Sequence, residues 1–272
     1  MRIKIFSLFL ALLFINGCAT RGTLQKQLLL LDEIPDAAES VISSNLNSLP
    51  DYEKLTYEIK WIGIPVGTLT TSIKGTEKIN GREAYVLEAV FKTNSFLSKI
   101  YPVNDRYVSY MDKEQLYTLR HEVYRREGRY KKDAITEFDQ ANRKAYFHNL
   151  LDKSEKVFDI PSGVHDFLSA HYYFRFLPLK AGDKLRYAIS NNEKNYQVVI
   201  LVKSHISLKL GALGKKDVLL IQPYALLKGE EVKEGSARGY YSCEGSRPLL
   251  GAIVTAPIFT KVTAFLSKAE II

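Results

Sequence analysis

The residues of this chain whose types could do chemistry are five histidines, two cysteines and a basic run between residues 120 and 132. A catalytic zinc needs converging nitrogen, oxygen or sulfur donors. None of His121, His148, His165, His171 and His205 forms an H-E-x-x-H pair, and on the helix expected over "SGVHDFLSAHYYFRF" His165 and His171 would point to nearly opposite faces. A nucleophilic thiol needs a neighbouring base or a helix N-terminus, whereas Cys243 in "GYYSCEGS" reads as the end of a strand. It is expected to be a small, partly buried thiol. Ser242 sits in no G-x-S-x-G elbow, and Gly211 and Gly214 in "KLGALGKKD" lack the spacing of a phosphate-binding loop and read as a turn. No catalytic residue, metal ligand or cofactor site is expected, so the chain is expected not to be an enzyme. Arg120, Arg125, Arg126 and Arg129 are candidates for contact with lipid phosphates or a partner's acidic surface. Alternation puts Arg120 and Arg126 on one face of a hairpin, with His121 and Arg125 on the other. The plainer reading is a solvated hairpin edge that discourages strand addition.

Cys18 is a different case, because it follows Arg2, Lys4, an apolar run from Ile5 to Ile15 and the small residues Asn16 and Gly17. The run is too short to span a bilayer and has the three parts of a secretory signal. A small residue directly before the cysteine of "INGC" resembles the lipobox of bacterial lipoproteins, in which the cysteine is diacylated and becomes the new N-terminus. This implies a signal at 1–17, a lipidated tether at 18–50 and membrane attachment through acyl chains such as palmitate on Cys18. Ala19 stands where inner-membrane retention usually has Asp, which favours the periplasmic face of the outer membrane. With Cys18 acylated, Cys243 is the last thiol and no internal disulfide can form.

The formal charge of +8 includes Arg2 and Lys4 of the signal. The remaining surplus is too small and scattered for a nucleic-acid surface, and suits acidic headgroups instead. Hydrophobic residues at 46 % allow a core that needs no covalent staples.

The elements that would position these residues are mostly strands. Within the tether, short helices fit the leucines at 28–31 and "DAAESVISSNLNSL". After Pro50, Leu55, Tyr57, Ile59 and Trp61 alternate on one face, and "VGTLTTSI" follows after "GIP", which predicts an antiparallel hairpin. "AYVLEAVFKT" is apolar on both faces and reads as a strand covered on both sides. "NSFLSKIYP" predicts a short helical turn capped by Asn94 or Ser95, and Gly128 supplies the turn between two strands. Further strands are expected through residue 147 and again from 184 to the end. Between them one main helix is expected over 163–176, capped by Ser162, with Asp166, Ser169 and Arg175 as its polar residues.

Several segments together are similar to a bacterial envelope family catalogued as domain of unknown function 3108: "LTYEIKWIGIPVGTLTTSI", "SKIYPVNDRYVSYMD", "ITEFDQANRKAYF", "DFLSAHYYFRFLPLKAGD" and "SRPLLGAIVTAPIFTKVTAFL". They occur in order over roughly residues 52 to 266. The resemblance implies an exported β-rich domain and brings no catalytic residues. The family usually has an Asp ahead of its Arg-Pro pair; before Arg247 and Pro248 this chain has Glu244, which either replaces that Asp or leaves the feature absent. The expected fold is mainly β: a curved antiparallel sheet or incomplete β-barrel over 51–272 with one main α-helix packed across it. By analogy with other lipoprotein carriers, the leading expectation is noncatalytic handling of a hydrophobic envelope molecule, lipid or lipoprotein acyl chain. The alternative is a structural or assembly component of an outer-membrane-associated complex, with an envelope protein as partner.

Overall fold

The computed structural model describes residues 49–232, 236–256 and 260–272. The expected signal, the expected lipidation site Cys18 and nearly all of the expected tether with its short helices lie outside the described residues. Leu49 is buried in the main core, and the first strand begins at Glu53.

Among the described residues fifteen strands form one sheet, and every ladder in it is antiparallel. The path runs β8-β7-β6-β5-β4-β3-β2-β1-β15-β14-β13-β11-β10-β9, and the short β12 (Glu230–Glu231) pairs with β11. The expected first hairpin is β1 (Glu53–Trp61) with β2 (Ile64–Ile79), where Leu55, Tyr57 and Ile59 are buried. On the same side follow β3 (Arg82–Thr93), β4 (Asn104–Asp112), β5 (Thr118–Glu127), β6 (Tyr130–Asp139), β7 (Lys144–Asn149) and β8 (Glu155–Asp159). The other side is built from β9 (Lys184–Asn191), β10 (Lys194–Lys209), β11 (Lys215–Leu227), β13 (Ser236–Ser242), β14 (Leu249–Ala256) and β15 (Thr260–Ile271). β15 pairs with both β1 and β14, so the last strand joins the two halves.

The sheet curves without closing, because β8 and β9 are its edges and do not pair with each other. The seam is bridged by side chains and by the crossover between the edges: Lys156 Nζ meets Glu193 Oε2 at 2.7 Å, and Asn195 Nδ2 donates to the Asp159 carbonyl at 2.6 Å. The His165 amide donates to Ala188 O, and the Ser190 amide to His165 O. β5 and β6 are therefore interior strands, and the expectation that this basic hairpin forms an exposed edge is corrected.

That crossover carries the one α-helix among the described residues, α1 (Phe167–Tyr173), followed by a 3-10 turn over Phe174–Phe176. It begins at Asp166 and not at Ser162. Gly163 adopts a positive φ of 65° and His165 is held extended as a β-bridge to Ile189, so the chain cannot coil earlier. His165 is thus not a helix residue, and it shares no helix face with His171. Every residue from Phe167 to Phe176 is buried, which places α1 inside the curve of the sheet as core. Asn94 caps the expected short turn, its Oδ1 accepting from the Leu97 amide at 2.8 Å, and Gly128 turns β5 into β6 at φ 56°.

Alternation of strand direction assigns each turn to one end of the curved sheet. The chain entry near Leu49, the 113–117 and 243–248 turns and α1 lie at one end, called here the helix end. The turns at 62–63, 94–103, 128–129 and 150–153 lie at the far end.

Candidate functional site

Three buried polar groups organise the interior. At the N-terminus of α1 the Asp166 carboxylate caps the helix: Oδ1 accepts from the Leu168 and Ser169 amides at 2.7 and 3.1 Å. Its Oδ2 accepts from Thr118 Oγ1 at 2.9 Å and from Ser109 Oγ. The Asp166 amide reaches Thr118 Oγ1 and Ser169 Oγ in return, so the cap ties α1 to β4 and β5. A carboxylate with no exposed surface is tolerable only when its oxygens are satisfied in this way.

Beyond the C-terminus of α1, Arg175 and Glu53 form a bidentate pair, with Nη1–Oε1 and Nη2–Oε2 both 2.7 Å and both side chains inaccessible. Arg175 Nε also donates to Ser246 O at 2.7 Å, and its guanidinium lies 5.1 Å from the centre of the Tyr172 ring. Burial alone would ease the proton off Arg175, but the Glu53 carboxylate outweighs it and holds the group firmly charged. Glu53 opens β1 and Ser246 lies between β13 and β14, so this pair pins the helix to the opposite wall. Arg247 donates to Leu177 O, while Glu244 faces Lys216 at 3.9 Å. Glu244 thus does not replace the family's Asp as a partner of Arg247.

The third group faces inward at the far end. Arg125 Nε donates to Glu127 Oε1 at 2.8 Å and lies 3.7 Å from Asp105 Oδ2, with all three side chains buried. Asp105 Oδ1 accepts from the Arg126 amide at 2.8 Å. Burial raises the Asp105 carboxyl to about 6; the Arg126 amide and Arg125 oppose this, and the Glu127 carboxylate adds to it.

The four candidate arginines separate accordingly. Arg125 belongs to the buried cluster, Arg126 pairs with Asp133 at 2.8 Å and Arg120 with Glu137 at 2.6 Å. Only Arg129, exposed at the turn, has no carboxylate partner among the described residues, so the four arginines are not a free cationic face. A depression of about 340 Å³ lies beside Arg120, walled by Ile135, Glu137, His148 and the 149–155 turn.

The histidines are dispersed. His121 stacks near Tyr107 and meets the edge of Phe167, His165 packs on Tyr173 and Tyr187, and His171 Nδ1 is 2.7 Å from Tyr241 Oη. Burial lowers all three, His165 to about 4 and His171 to about 3, so they are neutral packing residues at neutral pH. Among the described residues no three His, Cys, Asp or Glu side chains are placed to hold a metal ion. Cys243 is half-buried and free, and burial pushes its thiol up, away from the reactive thiolate. The residues sequence reasoning missed are Glu53, Asp105 and Glu127. A signal was available for Glu53, which shares the inward face of β1 with Leu55, Tyr57 and Ile59; Asp105 and Glu127 stand on inward faces that also carry Ser109, His121 and Arg125.

The model of the family described as Protein of unknown function (DUF3108) matches residues 56–242, a shorter span than the similarity noted from 52 to 266. No curated protein matches. Among solved structures, a β-barrel-like protein of the DUF1849 domain of unknown function from Brucella abortus overlays with a TM-score of 0.56 at 8 % identity, covering 83 % of this chain and 99 % of its own. That likeness is one of fold alone. An exported protein with a YmcC-like fold from Bacteroides fragilis (12 % identity, TM-score 0.35, 83 % and 99 % covered) overlays more loosely. So does a lipoprotein from Parabacteroides distasonis (9 %, 0.36, 84 % and 100 %), and at these scores neither carries an argument.

Proposed function

The chain belongs to the DUF3108 family, and we propose that it is a lipid-anchored, noncatalytic component of the bacterial cell envelope that acts through its outer surface as a structural or assembly module. The observation that carries this reading is the pinned helix. α1 takes the room along the helix end that an acyl chain would need, and it is fixed at both ends by buried polar groups. An acyl carrier must open its interior, and opening here would strand Glu53, Asp166 and Arg175 without partners. The anchor is Cys18 with its acyl chains, and the side is the periplasmic face of the outer membrane, as "INGC" followed by Ala19 implies.

Native mass spectrometry with lipid extraction, on the full chain purified from an envelope fraction, tests the reading. The expected mass is that of the chain acylated at Cys18 with nothing further bound. A stoichiometric extra lipid would overturn it in favour of handling a hydrophobic envelope molecule.

A further inference from the structure

Large hydrophobic residues are exposed along β6 to β8 and at Ile271 and Ile272 on the helix end, but four others share one place. Ile62, Ile64, Phe96 and Ile100 are 60 to 73 % exposed, and all four stand on two neighbouring turns of the far end. The turns are bound to each other: the Asn94 amide donates to Val66 O at 2.9 Å, and Asn94 Nδ2 to Pro65 O at 2.7 Å. The apolar side chains therefore form one held cluster of protruding tips, more than scattered single residues would suggest. Lys92, Lys99 and Lys261 flank it, each exposed and without a carboxylate partner among the described residues. The nearby Glu58 is already paired with Lys60 at 2.8 Å.

We propose that this tip is a bilayer-docking surface: Ile62, Ile64, Phe96 and Ile100 enter the headgroup and upper acyl region of an anionic membrane, and Lys92, Lys99 and Lys261 meet lipid phosphates. Convex apolar tips ringed by unpaired cations are complementary to an interface that is apolar below and anionic above. Trp61, the chain's single tryptophan, lies directly behind the tip, at the level where amphipathic rings sit in membrane proteins. The proposal rests on the lipid-anchored reading only for which membrane is within reach. The described chain begins at the helix end, opposite the tip, and β1 spans about 30 Å between the two ends. The thirty residues from 19 to 48 reach up to about 100 Å when extended, so an anchored domain can turn its tip back onto the same membrane.

The test uses the full processed chain in vesicles of phosphatidylethanolamine and phosphatidylglycerol carrying brominated lipid. In Phe96→Trp combined with Trp61→Phe, emission from the added tryptophan is expected to be quenched at least twofold. Ile64→Glu with Ile100→Glu in that background is expected to abolish the quenching, and phosphatidylcholine vesicles to reduce it at least twofold. A chain that floats with the vesicles yet shows no quenching, or equal quenching with and without the glutamates, overturns the proposal. Equal quenching in phosphatidylcholine overturns the role given to the lysines. Mass analysis at Cys18 reads the anchor separately: should the residue be unacylated, the same vesicles added to the chain still report the tip, with flotation then lost in the glutamate variant.

Discussion

The two ends of the curved sheet solve opposite problems. At the helix end every charge inside is satisfied, and Glu53, Asp166 and Arg175 are spent on holding one helix in one place. At the far end the interior holds a carboxyl raised to about 6 beside a second carboxylate, and the outside presents apolar tips with unpaired lysines. One end is built to stay shut; the other is left chemically unfinished, as a surface that meets something else would be. Function is therefore better sought at the end with fewer internal bonds.

The comparison breaks first at the pinned helix. Arg175→Met leaves Glu53 buried and alone, and breaking a buried pair in this way costs about 3–5 kcal/mol. Urea unfolding of Arg175→Met beside the double variant Glu53→Gln/Arg175→Met should show the double to be the more stable. Equal stability of wild type and single variant would mean that the pair does not hold the helix. Asp166→Ala should come next, at about 2–3 kcal/mol, since it removes the cap and strands buried donors that a carboxylate had satisfied. Asp166→Asn should recover part of this loss.

The far end is sharpened by pH. Asp105 is raised in the fold from an ordinary 3.8 to about 6, so between those values the native state holds the extra proton. Its contribution to stability is full at the acid side, declines as pH rises from about 4 to 6, and is flat beyond. The groups facing it are Arg125, Glu127, Tyr107 and the Arg126 amide. His165 and His171 work with the opposite sign: lowered to about 4 and 3, they bind protons in the unfolded chain first and destabilise the fold as pH falls below 6.5. Asp105→Asn should therefore be more stable than wild type above pH 6, and should lose stability more steeply on acidification to pH 4. Parallel profiles for the two proteins would show that Asp105 is not perturbed.

Much of this was legible beforehand. Period-two patterns such as Leu55, Tyr57 and Ile59 placed the strands, because a half-buried strand must alternate, and the single helix was found in the right segment. Its start was misplaced because Ser162 has the chemistry of a cap, while the bridge of His165 to Ile189 that delays the helix is a long-range contact. The basic run misled for a related reason. Arg120, Arg125 and Arg126 find Glu137, Glu127 and Asp133 within their own hairpin, and charge counting along a chain does not pair residues across it. Strand β8 was missed because "EKVFD" carries no alternation that a five-residue edge strand needs. Glu53 could have been noticed, since it shares parity with Leu55, Tyr57 and Ile59, yet its partner Arg175 is 122 positions away.

The smallest effect separates the two ends most cleanly. Phe96→Ser and Ile64→Ser remove side chains that are 73 and 64 % exposed and pack on nothing the fold depends on, so each should change unfolding free energy by no more than about 0.5 kcal/mol. Large apolar residues kept in water contribute nothing to folding, whereas Glu53, Asp166 and Arg175 at the helix end are engaged in holding α1. A loss above about 1 kcal/mol in either variant would mean that the tips are part of the core after all. Within the expected range, any change in the proposed membrane docking would come from the surface itself, with the fold unaltered.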